Sequence, residues 1–460
     1  MTGGTSLRMA QRRVVILGGG ASGVLLALHL LRDKSANVSV TIVERRDELG
    51  RGIAYATVNE DHILNVGALN MSAYAEEPDH FWRWLVARGE ARDPSDPFCF
   101  ASRRTYGRYL EDLAQPSLHE SGPFVRLRLV HGECVAVDET ASGVAVTLAD
   151  GSTLIGHIAV IAVGHGPAGD YPTGASIDPW DAPALARIDR AARVLLLGTG
   201  LTMVDSALSL VGMGHVGPIL ALSRHGLLPQ DHRRADPLRI DAADVPLGTG
   251  LTYLWRWFRT FVAWHAEGGG DWRGAIDAMR PHTQAIWQNL PPDAKRRFLR
   301  HARSWWDVHR HRMAPQASGK LQRLIASGQL QIMAARLCAI APNEKGARVE
   351  WRRRGASETE ELQVSSILDC RGMSADLRSS RNPILQDLFA KGLARPDPLQ
   401  LGLDVSGDCA LVDINGRASA RLFAIGPLTR GALWEIVAIP DIRVQCERLA
   451  RRLCRQTRPI

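Results

Sequence analysis

One segment limits the possible folds of this chain more than any other. Arg13-Val14-Val15-Ile16-Leu17 is a β-rich run whose continuous apolar character suits a parallel strand buried on both faces. It leads directly into Gly18-Gly19-Gly20-Ala21-Ser22-Gly23, a complete G-x-G-x-x-G. Val24, Leu25, Leu28 and Leu31 then fall at helical spacing. Val38 to Val43 reads as a second strand ending at Glu44, 21 residues after Gly23. Each part has a physical task. Gly18 permits the tight turn, Gly20 lets a pyrophosphate approach the backbone, and Gly23 lets the helix pack close to the strand. The helix start at Ala21 and Ser22 offers free N–H groups and the positive end of a dipole. Glu44, with Arg45 beside it, is placed to accept hydrogen bonds from adenosine ribose hydroxyls. Strand, glycines, helix, strand and acid in register define a dinucleotide-binding unit.

The pattern returns at Arg193–Leu197, followed by Gly198-Thr199-Gly200-Leu201-Thr202-Met203. Met203 replaces the third glycine, so this helix is expected to sit slightly farther from its sheet. Where the first copy has Glu44, the second has Ser223-Arg224. A guanidinium there pairs with a 2′-phosphate that a carboxylate would repel, so the second site reads as one for NADPH. Both copies continue alike. Glu133–Asp138, Gly143–Leu148 and His157–Val163 read as strands ending at Gly164. Gln331–Ile340, Ala347–Trp351 and Val364–Leu368 repeat this, ending at Gly372.

This arrangement resembles the two-dinucleotide-domain flavoproteins, in which the first unit binds FAD and the second NAD(P)H. More narrowly, it is similar to the FAD-NAD(P)-binding protein family and to flavin-dependent N-hydroxylating monooxygenases. The residues that carry the likeness are Gly50-Arg51-Gly52-Ile53-Ala54-Tyr55, His62-Ile63-Leu64-Asn65-Val66, Met71-Ser72-Ala73, the second glycine turn through Asp205, Arg310-His311-Arg312, and Gly426-Pro427-Leu428-Thr429-Arg430-Gly431. The resemblance spans nearly the whole chain. It implies an α/β fold of two Rossmann-like domains, the second inserted in the first, plus a Trp-rich helical insertion. The expected division is an FAD-binding domain over residues 10–190 and 376–460, an NADP-binding domain over 191–232 and 315–375, and the insertion over 233–314.

The resemblance further implies FAD contacts from Met71, Val135, Gly164, Gly426 and Leu428. It places the His62–Met71 segment along the flavin, where Asn65 would hydrogen-bond substrate or nicotinamide; alternatively, His62 and Asn65 cap a buried loop. In many relatives an Asp follows the glycine of the late FAD strand. Here Pro427 follows Gly426, so that contact must come from backbone or elsewhere. A helix is expected over Leu433–Arg443, its dipole facing the flavin and Pro440 kinking it.

Composition removes other classes. With 460 residues, 45% hydrophobic and 23% charged, the chain is a multidomain globular protein, and no stretch approaches the roughly 18 apolar residues of a membrane span. Its first thirteen residues lack the apolar core of a secretion signal, so a cytoplasmic location is expected. The net charge of +8 comes from 56 basic residues of which only five are lysines, and the arginines are spread through every segment. A general preference for Arg over Lys explains that better than a nucleic-acid footprint. Seven cysteines without any C-x-x-C argue against a zinc ribbon and against a dithiol flavoenzyme.

Residues 233–314 hold seven of the twelve tryptophans. Leu251, Leu254, Trp255, Phe258 and Val262 form one helical stripe, and Trp257, Phe261 and Trp264 a second. A lid packed on the protein is the simpler reading, and membrane contact the other. A helix near Asp293–Met313 is expected to bury Phe298, Ala302, Trp305 and His309. Arg310 and Arg312, flanking His311, would then bind a carboxylate-bearing substrate over the flavin near Asn65, clamp the NADPH phosphates, or end the helix structurally. No metal site is expected, since no H-E-x-x-H occurs.

The expected activity is that of an NADPH-consuming, FAD-dependent monooxygenase acting on a small substrate with molecular oxygen. An amine nitrogen is one target, and a ketone is disfavoured because Asp178-Pro179-Trp180-Asp181 stands where Baeyer–Villiger enzymes carry F-x-G-x-x-x-H. The alternatives are an NADPH:acceptor reductase or dehydrogenase, and a nucleotide-binding redox sensor that docks on a partner.

Overall fold

The computed structural model describes residues 11–120, 125–164, 175–372 and 377–455. A six-stranded sheet holds the first unit. Its order is Ala410–Val412, Ala418–Ala424, Ile158–Ile161, Arg12–Leu17, Val38–Glu44, Leu127–His131. The central strand Arg12–Leu17 pairs in parallel with Val38–Glu44 and Ile158–Ile161, as buried apolar runs on both sides dictate. Alternate side chains serve opposite faces. Val14 and Ile16 pack under the helices Ala21–Arg32 and Ile439–Arg455, while Val15 and Leu17 meet an antiparallel ribbon of Cys134–Thr140, Gly143–Leu148 and Thr153–Gly156. Val24, Leu25, Leu26 and Leu30 are wholly buried, each contributing about 1.5–3 kcal/mol.

The second unit is a seven-stranded sheet centred on Val194–Leu197, with Ile219–Ser223 on one side and Ser366–Asp369 on the other, both parallel. Here the duplication departs from the first copy. The strand Leu330–Asn343 is long enough to pair in parallel with Ile219–Ser223 at its start and antiparallel with Gly346–Arg353 beyond, bending at an irregularity between Leu337 and Ala339. Ribbon and parallel sheet are thus continuous in the second unit and separate in the first. The parallel pairing of Ser176–Ile177 with Ser366–Asp369 forms the other edge.

The insertion comprises the helices Leu251–Glu267, Trp272–Met279, Thr283–Asn289, Pro292–His301 and Arg303–Arg310. The single helix expected near 293–313 is in fact two, broken at Ala302. The break resets the helical phase, so Trp306 is the buried tryptophan and Trp305 is 43% exposed. The helix expected over Leu433–Arg443 begins only at Ile439. Before it lie the 3-10 turn Gly426–Thr429 and Glu435, whose φ of +66° no helix continues through. Pro440 therefore falls in the first helical turn, where its missing N–H costs no hydrogen bond, and it causes no kink.

Candidate active site

The first glycine turn is shaped by backbone contacts that leave no room for side chains. Gly18 has φ +112°, and a Cβ on it would lie 2.6 Å from Ala162 O; a Cβ on Gly23 would overlap Gly18 O. Gly20 faces Gly52, its hypothetical Cβ 3.4 Å from Gly52 Cα, so the two backbones form a narrow crevice. Gly20 is also the N-cap of Ala21–Arg32 and supplies no side-chain cap, leaving the first N–H groups available to an anion. Gly426 closes the crevice from the far side: with φ +71°, its Cβ would lie 2.5 Å from Ser22 Oγ. Gly164, with φ +67°, faces open space beside it. Glu44 ends its strand with both oxygens on backbone donors, Gly19 N–H at 2.8 Å and Arg46 N–H at 3.0 Å. Arg45 turns outward and pairs with Glu133 at 3.0 Å. Met71 and Leu428 are buried, and Val135 is half-buried on the ribbon.

The second turn repeats this construction. Gly198 has φ +107° with its Cβ position 2.6 Å from Cys370 O, and Gly200 opens onto free space, as does Gly372. Leu201 and Thr202 begin the helix Leu201–Gly212, again uncapped by any side chain, and Met203 is fully buried in the third-glycine position. Thr199 Oγ1 lies 2.9 Å from Ser223 Oγ, which also accepts Gly226 N–H at 3.0 Å. Ser223 thus shapes the loop, while Arg224 projects into solvent at the strand end. An anion-accepting crevice with a cation at its ribose end fits a phosphorylated dinucleotide.

A polar cluster ties the helix after the second turn to the first unit. Arg103, at the start of the helix Arg103–Leu118, pairs with Asp205 of the helix Leu201–Gly212 at 2.8 Å, and Trp180 stacks over the guanidinium at 5.8 Å. His62 completes the lock. Its Nδ1 lies 2.8 Å from Thr57 Oγ1 and its Nε2 2.7 Å from Ser209 Oγ, while Asn59 donates to Ser209 Oγ at 3.1 Å. Burial lowers the His62 pKa, so the ring stays neutral, with both nitrogens engaged. Burial conversely raises the Asp205 pKa, partly offset by Arg103. The Asn65 carbonyl accepts from His232 Nε2 at 2.9 Å, and burial pushes the His232 pKa down to about 4. Arg103 and Trp180 carry no sequence signal for this role, because they meet Asp205 and His62 only through the fold.

Arg310 and Arg312 find carboxylates within the protein. Arg310 Nε donates to Glu435 Oε2 at 2.9 Å, and Glu435 Oε1 accepts from Trp306 Nε1. Arg312 pairs with Asp277. His311 beside them is half-buried, its pKa pushed down to about 4 by desolvation and then by Arg310. The cluster pins the insertion onto the segment between Gly426 and the C-terminal helix, assisted by Arg280 on Asp441 at 3.1 Å. Glu435 was invisible to sequence reading because it lies within an otherwise apolar run.

Comparison with known proteins agrees with this construction. Residues 15–166 match the family model described as FAD-NAD(P)-binding. The structure is similar to the ornithine N-hydroxylase of Kutzneria sp. 744, with a TM-score of 0.67 at 15% identity over 98% of this chain and 100% of that one. L-lysine 6-monooxygenase from Pseudomonas syringae gives 0.66 at 16% identity over 98% and 100%. Thioredoxin reductase of T. acidophilum gives 0.52 at 11% over 97% and 99%. No curated protein matches the sequence. The chain has the two-dinucleotide-binding-domain flavoprotein fold, with FAD and NAD(P) as the cofactors its turns accept. No helix among the described residues is long and apolar enough to cross a membrane.

Proposed function

We propose that this protein is an FAD-dependent, NADPH-consuming monooxygenase acting on a small molecule, with an amine nitrogen as the favoured target. The observation that carries the reading is the pair of glycine turns, one followed by a strand ending in Glu44 and the other by a strand leading to Arg224, in two units joined by Arg103–Asp205 and His62–Ser209. FAD, when bound, supplies the hydride and oxygen chemistry. The chain's own residues bind and orient. Gly18, Gly20, Ser22 and Gly426 would hold the FAD pyrophosphate and Glu44 its ribose. Gly198, Gly200, Leu201 and Thr202 would hold the second pyrophosphate, and Arg224 the 2′-phosphate. Asn65 remains the candidate for contact with substrate or nicotinamide. Arg310 and Arg312 act as positioning residues through Glu435 and Asp277.

The cysteines favour an external electron acceptor. None of the seven is in a disulfide, and burial raises the thiol pKa of Cys134 and Cys370 to about 12 and of Cys409 to about 11. Such thiols are poor nucleophiles for a disulfide relay. The likeness to hydroxylases of ornithine and lysine points to oxygen as acceptor and amines as substrates. Purified protein offered a panel of primary amines should oxidise NADPH faster with one class and yield a product heavier by one oxygen. NADPH oxidation that rises only with quinone or disulfide acceptors would assign a reductase instead. Tight FAD binding with no turnover above free flavin would assign a sensor.

A further inference from the structure

The insertion contains a groove that none of the roles above uses. It opens between the helix Leu251–Glu267 and the helices Trp272–Met279, Pro292–His301 and Arg303–Arg310, with a volume of about 970 Å³. Its floor is aromatic and aliphatic, formed by Trp255, Phe258, Val262, Trp272, Ile276 and Trp306. An apolar concavity of this size is the usual form of a small-molecule site, and an exposed apolar lining of this extent marks a binding surface.

The rim carries charge of one sign. Arg259, Arg297 and His301 stand on it exposed, and no acidic side chain lines the groove. Two neighbouring arginines are paired within the protein, Arg296 with Asp293 at 2.7 Å and Arg303 with Asp307 at 3.2 Å. No ion pair or side-chain hydrogen bond among the described residues engages Arg259 or Arg297. The groove also continues inward. A smaller cavity of about 70 Å³ shares Leu251, Trp255, Phe258 and Trp306 with it and ends on Trp287 and Trp434. Trp434 stacks on Trp287 at 4.6 Å, a few residues after the Gly426–Thr429 turn. An apolar trough with a cationic mouth and a narrowing apolar end is complementary to a chain with one anionic terminus.

We propose that this groove binds an amphiphile with a single alkyl or acyl chain and a carboxylate head. The chain lies on the aromatic floor toward Trp434, and the head meets the Arg259 and Arg297 rim. The competing occupant of this region is a membrane surface, which would engage the outer stripe of Tyr253 and Trp264 and leave the groove empty.

The test uses the FAD-loaded full chain and dodecanoate below its micelle-forming concentration, read by tryptophan fluorescence and calorimetry. Saturable binding at one site is expected. Affinity should rise about three- to fourfold per methylene from octanoate to dodecanoate, the ratio that corresponds to about 0.8 kcal/mol per buried CH₂. Dodecyltrimethylammonium should bind at least about tenfold more weakly, by the rim's charge. Arg259→Gln with Arg297→Gln should weaken dodecanoate about tenfold and leave the ammonium amphiphile bound as tightly or more tightly, so that the two affinities converge. Ala263→Trp fills the groove from an exposed helical position, so it should abolish binding with FAD content and Tm unchanged. Dodecanoate binding that survives both variants, or equal affinity for both head charges, would overturn the proposal. So would binding to phosphatidylglycerol vesicles that Ala263→Trp leaves intact, with none to monomeric dodecanoate.

Discussion

Removing Arg103 isolates the contact that joins the helix after the second nucleotide turn to the first unit. The Arg103–Asp205 pair spans 2.8 Å, with side chains 16% and 10% exposed. Truncating one partner of a buried pair leaves the other charge uncompensated, at about 3–5 kcal/mol. The remaining access to solvent reduces that to about 2–3 kcal/mol for Arg103→Ala near pH 8. The sign of the pH dependence follows from Asp205. Burial already holds its folded pKa above the unfolded value, and loss of Arg103 raises it further. The folded variant then binds a proton that the unfolded chain does not, so stability recovers as pH falls below the raised pKa, by about 1.4 kcal/mol per unit. The deficit relative to wild type should therefore be smaller at pH 5.5 than at pH 8. Arg103→Ala combined with Asp205→Asn should recover most of it at pH 8. Urea midpoints at constant slope measure all three. A deficit below about 0.5 kcal/mol at pH 8, or one equal at both pH values, would refute the buried-lock reasoning.

Gly20→Val should fold yet purify without colour, since the crevice opposite Gly52 admits a Cβ at 3.4 Å but not branched methyls and a pyrophosphate together; the ratio of flavin to protein absorbance decides it. Arg224→Ala should weaken NADPH by about one to two decades, the 1.5–3 kcal/mol of a charge-assisted contact, and leave NADH nearly unchanged in the same titration. His29, His232 and His311 are held neutral by burial, each at about 4. Their unfolded pKa near 6.5 means that stability is full above that pH and declines as pH falls toward 4, and Tm between pH 7.5 and 4.5 should show this, with a shallower slope for His232→Gln.

The glycine turns were legible in the sequence because their constraints are local. Gly18 and Gly198 each take a positive φ and have a carbonyl from just past a neighbouring strand where a Cβ would sit, and a strand-to-helix turn of six residues records that fully. The strand Leu127–His131, only partly buried, carried too little apolar pattern to be found. Phase was lost at Ala302, where one residue with φ −109° exchanges Trp305 for Trp306 on the buried face. The interunit lock is non-local: Arg103 and Asp205 are 102 residues apart, and neither residue type at its position announces the other. The Arg310 cluster gave a real signal, the repulsion of adjacent cations seeking an anion, but the anions come from Glu435 and Asp277 of the chain itself.

In the proposed reaction NADPH bound at the second turn reduces FAD held at the first, and oxygen then takes up the electrons. The most direct measurement is the visible spectrum of the purified protein mixed with one equivalent of NADPH, first without oxygen and then on readmitting air. The flavin band should bleach near stoichiometrically, faster with NADPH than with NADH, and the oxidised spectrum should return in air with consumption of oxygen. A flavin band that NADPH leaves unchanged, or a reduced flavin stable in air until a quinone or disulfide is added, would contradict it.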